Sequence, residues 1–510
     1  MAGDPNLPEI DRWHSRPLDV HRWSDHPEIK TLTDQLYVQC EINRLDKAGN
    51  RRPKKTAKDM LRVLLLDLYV AWLNDPSLAL GFSKNNNSYT ANSRMDRIHI
   101  GNNIIKVEEE LVAAGYVEEL DGFHATTGKG RSYMTRIRHS QKLREAFLKL
   151  TVDLYDIDHH AGKPLILLRE RYEDDEGNDQ KRLLEYPMTP EVETMWADLV
   201  AYNELLRRSF IDIPSLTEPY VRRQIEAGKR AGQEQVISIG PDNKHVHRVF
   251  NGTVADNWTK GGRFYGGWWL QIPKDMRKDI YINDQPTVEV DYKALHPNLL
   301  LLEGEALGSQ YDPYDLGRLV LPEGITTRPK QREAVKKLVL MAINATSAKK
   351  AFQAFRRAAK KDDPLKKLKD HKLQTLLDGF TDKFPELKEA LNTGKALELM
   401  NKDSIIANMV INHFTQQDIP VLCIHDSFII QHNKKEELHN VMDVASVQVA
   451  GKGIKQDSKS NMREFIGMVQ GNIDGYETRK AVTIKLPNKV NPTEQYKQRR
   501  IKHYRWLEAI

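Results

Sequence analysis

The chain has 510 residues, of which 29% are charged and 40% hydrophobic, with a net charge of +6. That length calls for at least two cores, and that composition excludes a largely disordered chain; the mild positive balance suits a polyanionic partner without requiring one. Two cysteines, Cys40 and Cys423, exclude a disulfide framework and a cysteine-ligated zinc site, and point to the reducing cytoplasm. The first residues lack the charged-then-apolar order of a signal peptide, and no stretch approaches the length of a membrane span, so a soluble protein with no membrane partner is expected.

In chain order, Lys55 to Leu73 carries Leu61, Leu64, Leu65, Leu68 and Trp72 at helical spacing. Gly101 to Ala114 carries Ile104, Ile105, Val107 and Leu111, and stops at Gly115. Tyr116 to Leu120 and Tyr133 to Ile137 read as strands around a basic turn, Gly128-Lys129-Gly130-Arg131. This order of helix, strand and basic hairpin predicts a winged helix-turn-helix domain in which Lys129, Arg131, Arg136 and Arg138 face phosphates; a helical domain whose hairpin merely packs would read the same way. Farther on, Glu170 to Arg182 reads as a solvated hairpin tip and Val192 to Phe210 as a helix, with no function legible in either.

The chemistry begins near residue 285. Thr287 to Tyr292 alternates as a strand that ends at Asp291, and Leu295 to Leu300 starts a helix directly after it. Val421 to Ile424 and Phe428 to Ile430 are apolar strands separated by His425-Asp426-Ser427, a hairpin with a carboxylate at its turn. Two carboxylates on rigid strands from distant parts of the chain suit a two-magnesium centre, in which ions about 4 Å apart clamp the attacking and leaving oxygens. Manganese can substitute for magnesium there. Either aspartate alone would read as a turn or cap residue. Between them, Arg332, Lys336, Leu340 and Asn344 follow at steps of four, so a helix places two cations on one face where a triphosphate could lie; an ordinary solvated face has the same pattern.

These motifs resemble, in order and spacing, the family A polymerases: bacterial DNA polymerase I and the single-subunit phage and mitochondrial RNA polymerases. Asp291-Tyr292-Lys293-Ala294-Leu295-His296 is similar to motif A, Arg332 with Lys336 to motif B, and His425-Asp426-Ser427-Phe428 to motif C. Gly262-Arg263-Phe264, Leu270-Gln271-Ile272-Pro273 and Arg277 resemble elements that precede motif A in DNA polymerase I. The resemblance covers about residues 245–435. It implies that Asp291 and Asp426 are the catalytic metal ligands and that Arg332 and Lys336 bind the triphosphate. It further places His296 and Asn344 at the nucleotide, and Arg263, Gln271 and His425 at nucleic acid. Asn344-Ala345 replaces the usual Tyr-Gly of motif B, so stacking and sugar checking do not carry over there. His296 stands where DNA polymerases carry Glu and RNA polymerases Gly; its bulk favours a DNA product, while His425-Asp426-Ser427-Phe428 resembles the RNA polymerase form.

Other segments read less directly. Asn401 and Asp403 could reach a primer strand or cap the helix from Met400 to Phe414. Arg356 to Lys369 and the C-terminal Lys497, Arg499, Arg500, Lys502 and Arg505 could track a nucleic-acid backbone or form solvated faces. The expected fold class is α+β, a right-hand polymerase palm and fingers with an antiparallel palm sheet and helices, plus an N-terminal winged-helix domain. Residues 1–54 would form an extension, 55–145 the winged helix, 146–250 a thumb-like or connecting region, 251–450 palm and fingers, and 451–510 a C-terminal region with a basic tail. The expected function is template-directed synthesis from nucleoside triphosphates on a template and primer, releasing pyrophosphate, in replication of a phage, plasmid or mobile element and without proofreading. The alternatives are a single-subunit RNA polymerase or primase, a non-catalytic winged-helix DNA-binding regulator with a degenerate palm, and a two-metal nuclease.

Overall fold

A computed structural model of the chain describes residues 8–47, 55–89, 99–123, 132–174, 179–225, 232–301, 312–317, 325–359, 363–460, 462–473, 476–487 and 490–510. The N-terminal part runs β1 (Ser15–Pro17), α1 (Pro27–Gln39), α2 (Asn43–Lys47), α3 (Ala57–Asn74), β2 (Ala79–Phe82), α4 (Ile104–Ala113), β3 (Val117–Leu120), β4 (Thr135–His139) and α5 (Gln141–Phe147). A reciprocal capping box sets the start of α3: Thr56 accepts from the Asp59 amide and Asp59 accepts from the Thr56 amide. Its Leu61, Val63, Leu64, Leu66 and Val70 are fully enclosed, because α1 and α4 pack on it from one side and the sheet β1-β2-β4-β3 from the other. This core runs from Ile29 to Ile157, so residues 1–54 are more than an extension: Ile29, Leu32, Leu36 and Ile42 belong to it.

The wing arginines are a correction. Arg138 is buried and donates from Nη2 to Glu118 Oε2 at 2.7 Å and to the Pro8 carbonyl at 3.0 Å. Arg136 donates from Nε to Ser15 Oγ at 2.7 Å and to the Arg12 carbonyl at 3.0 Å. Both sit on β4, an interior strand; Arg138 is withdrawn from solvent, and Arg136, partly exposed, spends its Nε on the protein's own acceptors. Lys129 and Arg131 lie outside the described residues.

A second, larger core runs from Leu165 to Ile454. It begins with β5 (Ile166–Glu173), β6 (Asp179–Leu184), α6 (Pro190–Arg208), β7 (Ile211–Asp212), the hairpin β8 (Tyr220–Gln224) and β9 (Glu234–Ser238), then β10 (Val246–Asn251) and β11 (Gly261–Gly266). Strands β11-β10-β5-β6 form one sheet. The segment expected to be a connecting region thus enters the main core, where the Tyr202 hydroxyl on α6 donates to the Val421 carbonyl at 2.6 Å.

The rest comprises β12 (Tyr281–Ile282), β13 (Gln285–Tyr292), α7 (Leu295–Leu300), α8 (Arg328–Asn344), α9 (Ala348–Ala358), α10 (Asp370–Lys383), α11 (Ala396–Thr415), β14 (Leu422–Ile424), β15 (Ser427–Gln431), α12 (Lys435–Ala450), β16 (Gln456–Ser460), β17 (Met462–Ile473), β18 (Tyr476–Pro487) and α13 (Glu494–Ala509). The central sheet has the order β14-β15-β13-β12-β7, with β16 also pairing β13, and its contacts are antiparallel. The fold class is α+β: several separate sheets with helices packed against them. Among the described residues no helix is long and apolar enough to cross a membrane.

Strands β17 and β18 form a two-stranded ribbon that the sequence pattern did not reveal. The basic C-terminus is also more than a charged tail. In α13, Arg499 binds Asp212 through Nε at 2.8 Å and Nη2 at 3.0 Å, Arg500 donates to Asp284 at 2.6 Å, and Lys502 pairs with Asp153 at 2.8 Å. Arg499 is largely covered by its contact with Asp212, while Arg500 and Lys502 pair at the exposed surface of the helix.

Candidate active site

Three antiparallel strands build the site. On β13, Val288, Val290 and Tyr292 point into the core while Thr287, Glu289 and Asp291 share the opposite face, as the two-residue period requires. Asp291 is directly opposite Ser427 on β15 and Asp457 on β16. Since Asp426 precedes Ser427, and its carbonyl accepts from the Tyr292 amide at 3.2 Å, the turn between β14 and β15 delivers the Asp426 carboxylate beside Asp291.

Both connections leaving these strands carry a residue in the left-handed backbone region, His425 at φ 58° in the hairpin turn and Ala294 at φ 51° before α7. Neither is glycine, so packing holds conformations that the isolated chain disfavours. Ser427 Oγ donates to Glu289 Oε1 at 2.9 Å, pinning the hairpin to β13.

The electrostatics follow from crowding. Burial, then the Asp426 charge, push the Asp291 carboxyl up to about 6, with Lys459 and Lys274 opposing. Among the described residues neither Asp291 nor Asp426 forms an ion pair. Arg277, held below its ordinary range by burial, lies 3.8 Å from Glu289 and also feels Asp426 and Asp291. Burial, followed by the Arg263 charge, lowers His425, whose ring meets Tyr265 edge-on at 5.4 Å.

Arg263 on β11 is committed within the protein. Its Nε donates to Asp403 Oδ2 at 2.9 Å and Oδ1 at 3.1 Å, and its Nη2 also binds Oδ2. His296 joins them, with Nε2 at 2.8 Å from Asp403 Oδ2 and 2.9 Å from Arg263 Nη2. Asp403 therefore neither caps α11 nor reaches outward: it lies inside the helix, buried, at the centre of this cluster. Asn401 likewise donates to the Trp258 carbonyl at 2.7 Å. Gln271, expected at a duplex, donates to Asn243 Oδ1 at 3.3 Å while its carbonyl accepts from Arg223 at 2.6 Å.

Helix α8 presents Arg332, Lys336 and Asn344 as an exposed row, as their spacing predicts. Arg332 is paired with Asp312, and Asn344 Nδ2 donates to the Leu340 carbonyl of its own helix at 2.6 Å. Tyr314 links this row to the carboxylates. Lys336 stands over its ring at 6.0 Å, and its phenol, raised mainly by burial and by Asp312, is also affected by Asp426 and Arg332.

Asp291, Asp426, Arg263, His296 and His425 thus come together, while Arg332 and Lys336 lie at the margin. Sequence reasoning missed the Asp403 clamp and the Glu289–Ser427 contact. Glu289 could have been found from its two-residue spacing to Asp291; Asp403 could not, because its partners lie 140 and 107 residues away.

No protein-family model matches the chain, and no curated protein matches it. Among solved structures it is similar to the POL domain of Pol1 from M. smegmatis, in complex with DNA primer-template and dNTP, at a TM-score of 0.28 and 11% identity. The match covers 42% of this chain and 47% of that one, so the chain spans about half the length of this neighbour.

Proposed function

We propose that this protein is a template-directed nucleic-acid polymerase that joins nucleoside triphosphates to a primer and makes DNA. The observation that carries the reading is the pair Asp291, on β13, and Asp426, in the adjoining β14–β15 turn, with Asp291 raised to about 6 by burial and by its neighbour's charge. Two neighbouring carboxylates that form no ion pair among the described residues fit a hard divalent cation, magnesium or manganese. Two such ions, when bound, supply activation of the primer hydroxyl and charge neutralisation on the departing pyrophosphate. Asp291 and Asp426 would hold them, and the Arg332–Lys336 row would receive the outer phosphates once Arg332 exchanges Asp312 for substrate. The hairpin pinned by Ser427 and Glu289 keeps Asp426 fixed against Asp291, which in-line transfer requires.

The N-terminal domain is assigned a winged-helix role in holding template. Helix α3, strand β2, helix α4 and the β3–β4 hairpin follow in order, and β2 pairs with β4, closing a small sheet against the helices. The test is primer extension with magnesium on a labelled primer-template, comparing deoxy- with ribonucleotides. Extension that Asp426→Ala abolishes supports the polymerase. DNA binding with no incorporation under any condition would favour a regulator, and degradation of nucleic acid without nucleotides would favour a nuclease.

A further inference from the structure

We propose that Trp13, Tyr133 and Phe123 form a stacking platform for unpaired bases, so that the N-terminal domain takes hold of nucleic acid as a single strand. That this strand is the template rests on the polymerase reading; the platform itself does not. Phe123 and Tyr133 face each other just beyond β3 and β4, each amide donating to the other's carbonyl, at 2.8 and 2.6 Å. Residues directly opposite in such a pair carry their side chains on one face. The Trp13 ring meets Tyr133 edge-on with centroids 5.4 Å apart, and the Arg12 guanidinium lies 5.3 Å from the centre of the same ring. Phe123 is 59% exposed and Trp13 36%, so both offer ring surface to solvent.

The segment that carries Trp13 is fixed to the sheet. Arg136 Nε donates to the Arg12 carbonyl at 3.0 Å and to Ser15 Oγ at 2.7 Å, Ser15 Oγ donates to that carbonyl at 2.9 Å, and the Trp13 amide donates to Asp11 at 2.8 Å. Rings held in this way lose little freedom on binding. Arg12 donates to the backbone carbonyls of Asp121 at 2.7 Å and Met134 at 3.3 Å, and among the described residues it forms no ion pair. Residues 124–131, which follow Phe123 in the sequence, add Lys129 and Arg131 and no acid. Set against Asp11 and Asp121, these cations leave a small positive excess, which suits a polyanion but makes stacking the main source of affinity. Two exposed rings rimmed by exposed Asp11, Asp121 and Ser132 fall well short of the roughly 800 Å² that each partner buries in a stable protein interface. They match the faces of single bases, which a duplex covers with its own stacked pairs and a single strand leaves open.

The test is fluorescence anisotropy on the full chain, without nucleotide or metal, using a labelled oligothymidylate and a blunt duplex of equal length. Phe123→Ala and Trp13→Ala are each expected to weaken binding of the single strand by at least about fivefold, the loss of one stacked base, and to leave the duplex unchanged. Phe123→Tyr keeps a ring and should bind as the wild type does. Both alanine variants should keep the wild-type dependence on salt, whereas Arg12→Ala should flatten the slope of log affinity against log salt by about 0.7, one phosphate contact fewer. A single strand carrying iodouracil should crosslink on irradiation to Trp13, Tyr133 or Phe123. Unchanged single-strand affinity in both alanine variants, an equal loss on the duplex, or crosslinks confined to other residues overturns the platform. Because none of these arms needs synthesis, they are read separately from primer extension. Single-strand binding that falls with the rings, in a protein that extends no primer, supports the platform and removes the polymerase reading together with the template role.

Discussion

Asp291 stands directly across the β13–β15 ladder from Ser427, and that one register position places the Asp426 carboxylate against it. A slip of one residue would turn Asp291 to the face now occupied by Val288 and Val290. The pairing is held from two sides, since β16 places Asp457 opposite the same residue.

Replacing Asp426 by Asn keeps the turn's shape and removes the charge. Magnesium-dependent primer extension should fall by at least about a thousandfold, on the order of 4 kcal/mol in the barrier. Single-turnover extension measures it, with far-UV circular dichroism unchanged as the control for folding.

Ser427→Ala leaves the buried Glu289 without its 2.9 Å donor. An unmet buried acceptor costs about 1–3 kcal/mol, to be read from urea unfolding. Because the same bond ties the hairpin to β13, extension should weaken as well; full activity with full stability would show that the hairpin needs no such tie.

Gly262 sits at φ +89° where β11 meets α11, and a Cβ there would come within 2.6 Å of the Phe250 ring and 2.9 Å of Ser404 Oγ. Gly262→Ala must push α11 away or distort β11. A loss of about 1–3 kcal/mol is expected. Since Arg263 is the next residue, the Arg263–Asp403 pair should loosen and primer extension should drop.

Asp67 lies buried in α3 and accepts from Arg16 Nη2 at 2.6 Å, from Arg22 Nε at 2.5 Å and from the Asp19 amide at 2.7 Å. Asp67→Asn removes the carboxylate charge that two guanidinium groups share, leaving buried Arg22 with Asp242 at 3.7 Å. Breaking such a pair from one side costs about 3–5 kcal/mol. Unfolding of the N-terminal domain at lower denaturant is the expected result, and replacement without loss of stability would count against this network as the anchor.

His503 is fully buried in α13, with Nε2 3.1 Å from the Arg208 carbonyl and Nδ1 3.2 Å from the Tyr155 hydroxyl. The carbonyl accepts, so Nε2 carries the proton and Nδ1 accepts from the tyrosine. Burial, then the Lys244 charge, push its pKa down from 6.5 to about 4. In that window the unfolded chain binds a proton that the folded chain refuses, so stability is lost as the pH falls through it and is level above it. Buried His159 and half-buried His247, also pushed to about 4, act with the same sign. Urea unfolding at pH 7 and pH 4.5 should show a smaller difference in His503→Gln than in the wild type, by on the order of 2 kcal/mol.

What the sequence determined by itself was local. Alternating Thr287 to Tyr292, the apolar strands around His425-Asp426, and the row Arg332, Lys336 and Asn344 all took the predicted conformation, because a period of two or 3.6 residues is set by short-range geometry. The β3–β4 pair was legible for the same reason. Which charges are spent inside the protein was decided only by the tertiary structure. Arg499 and Arg263 look alike in sequence as cations for phosphate, yet each finds a carboxylate far along the chain, in Asp212 or Asp403. A buried cation has to be paired, and its partner is chosen by packing between segments that no local pattern connects.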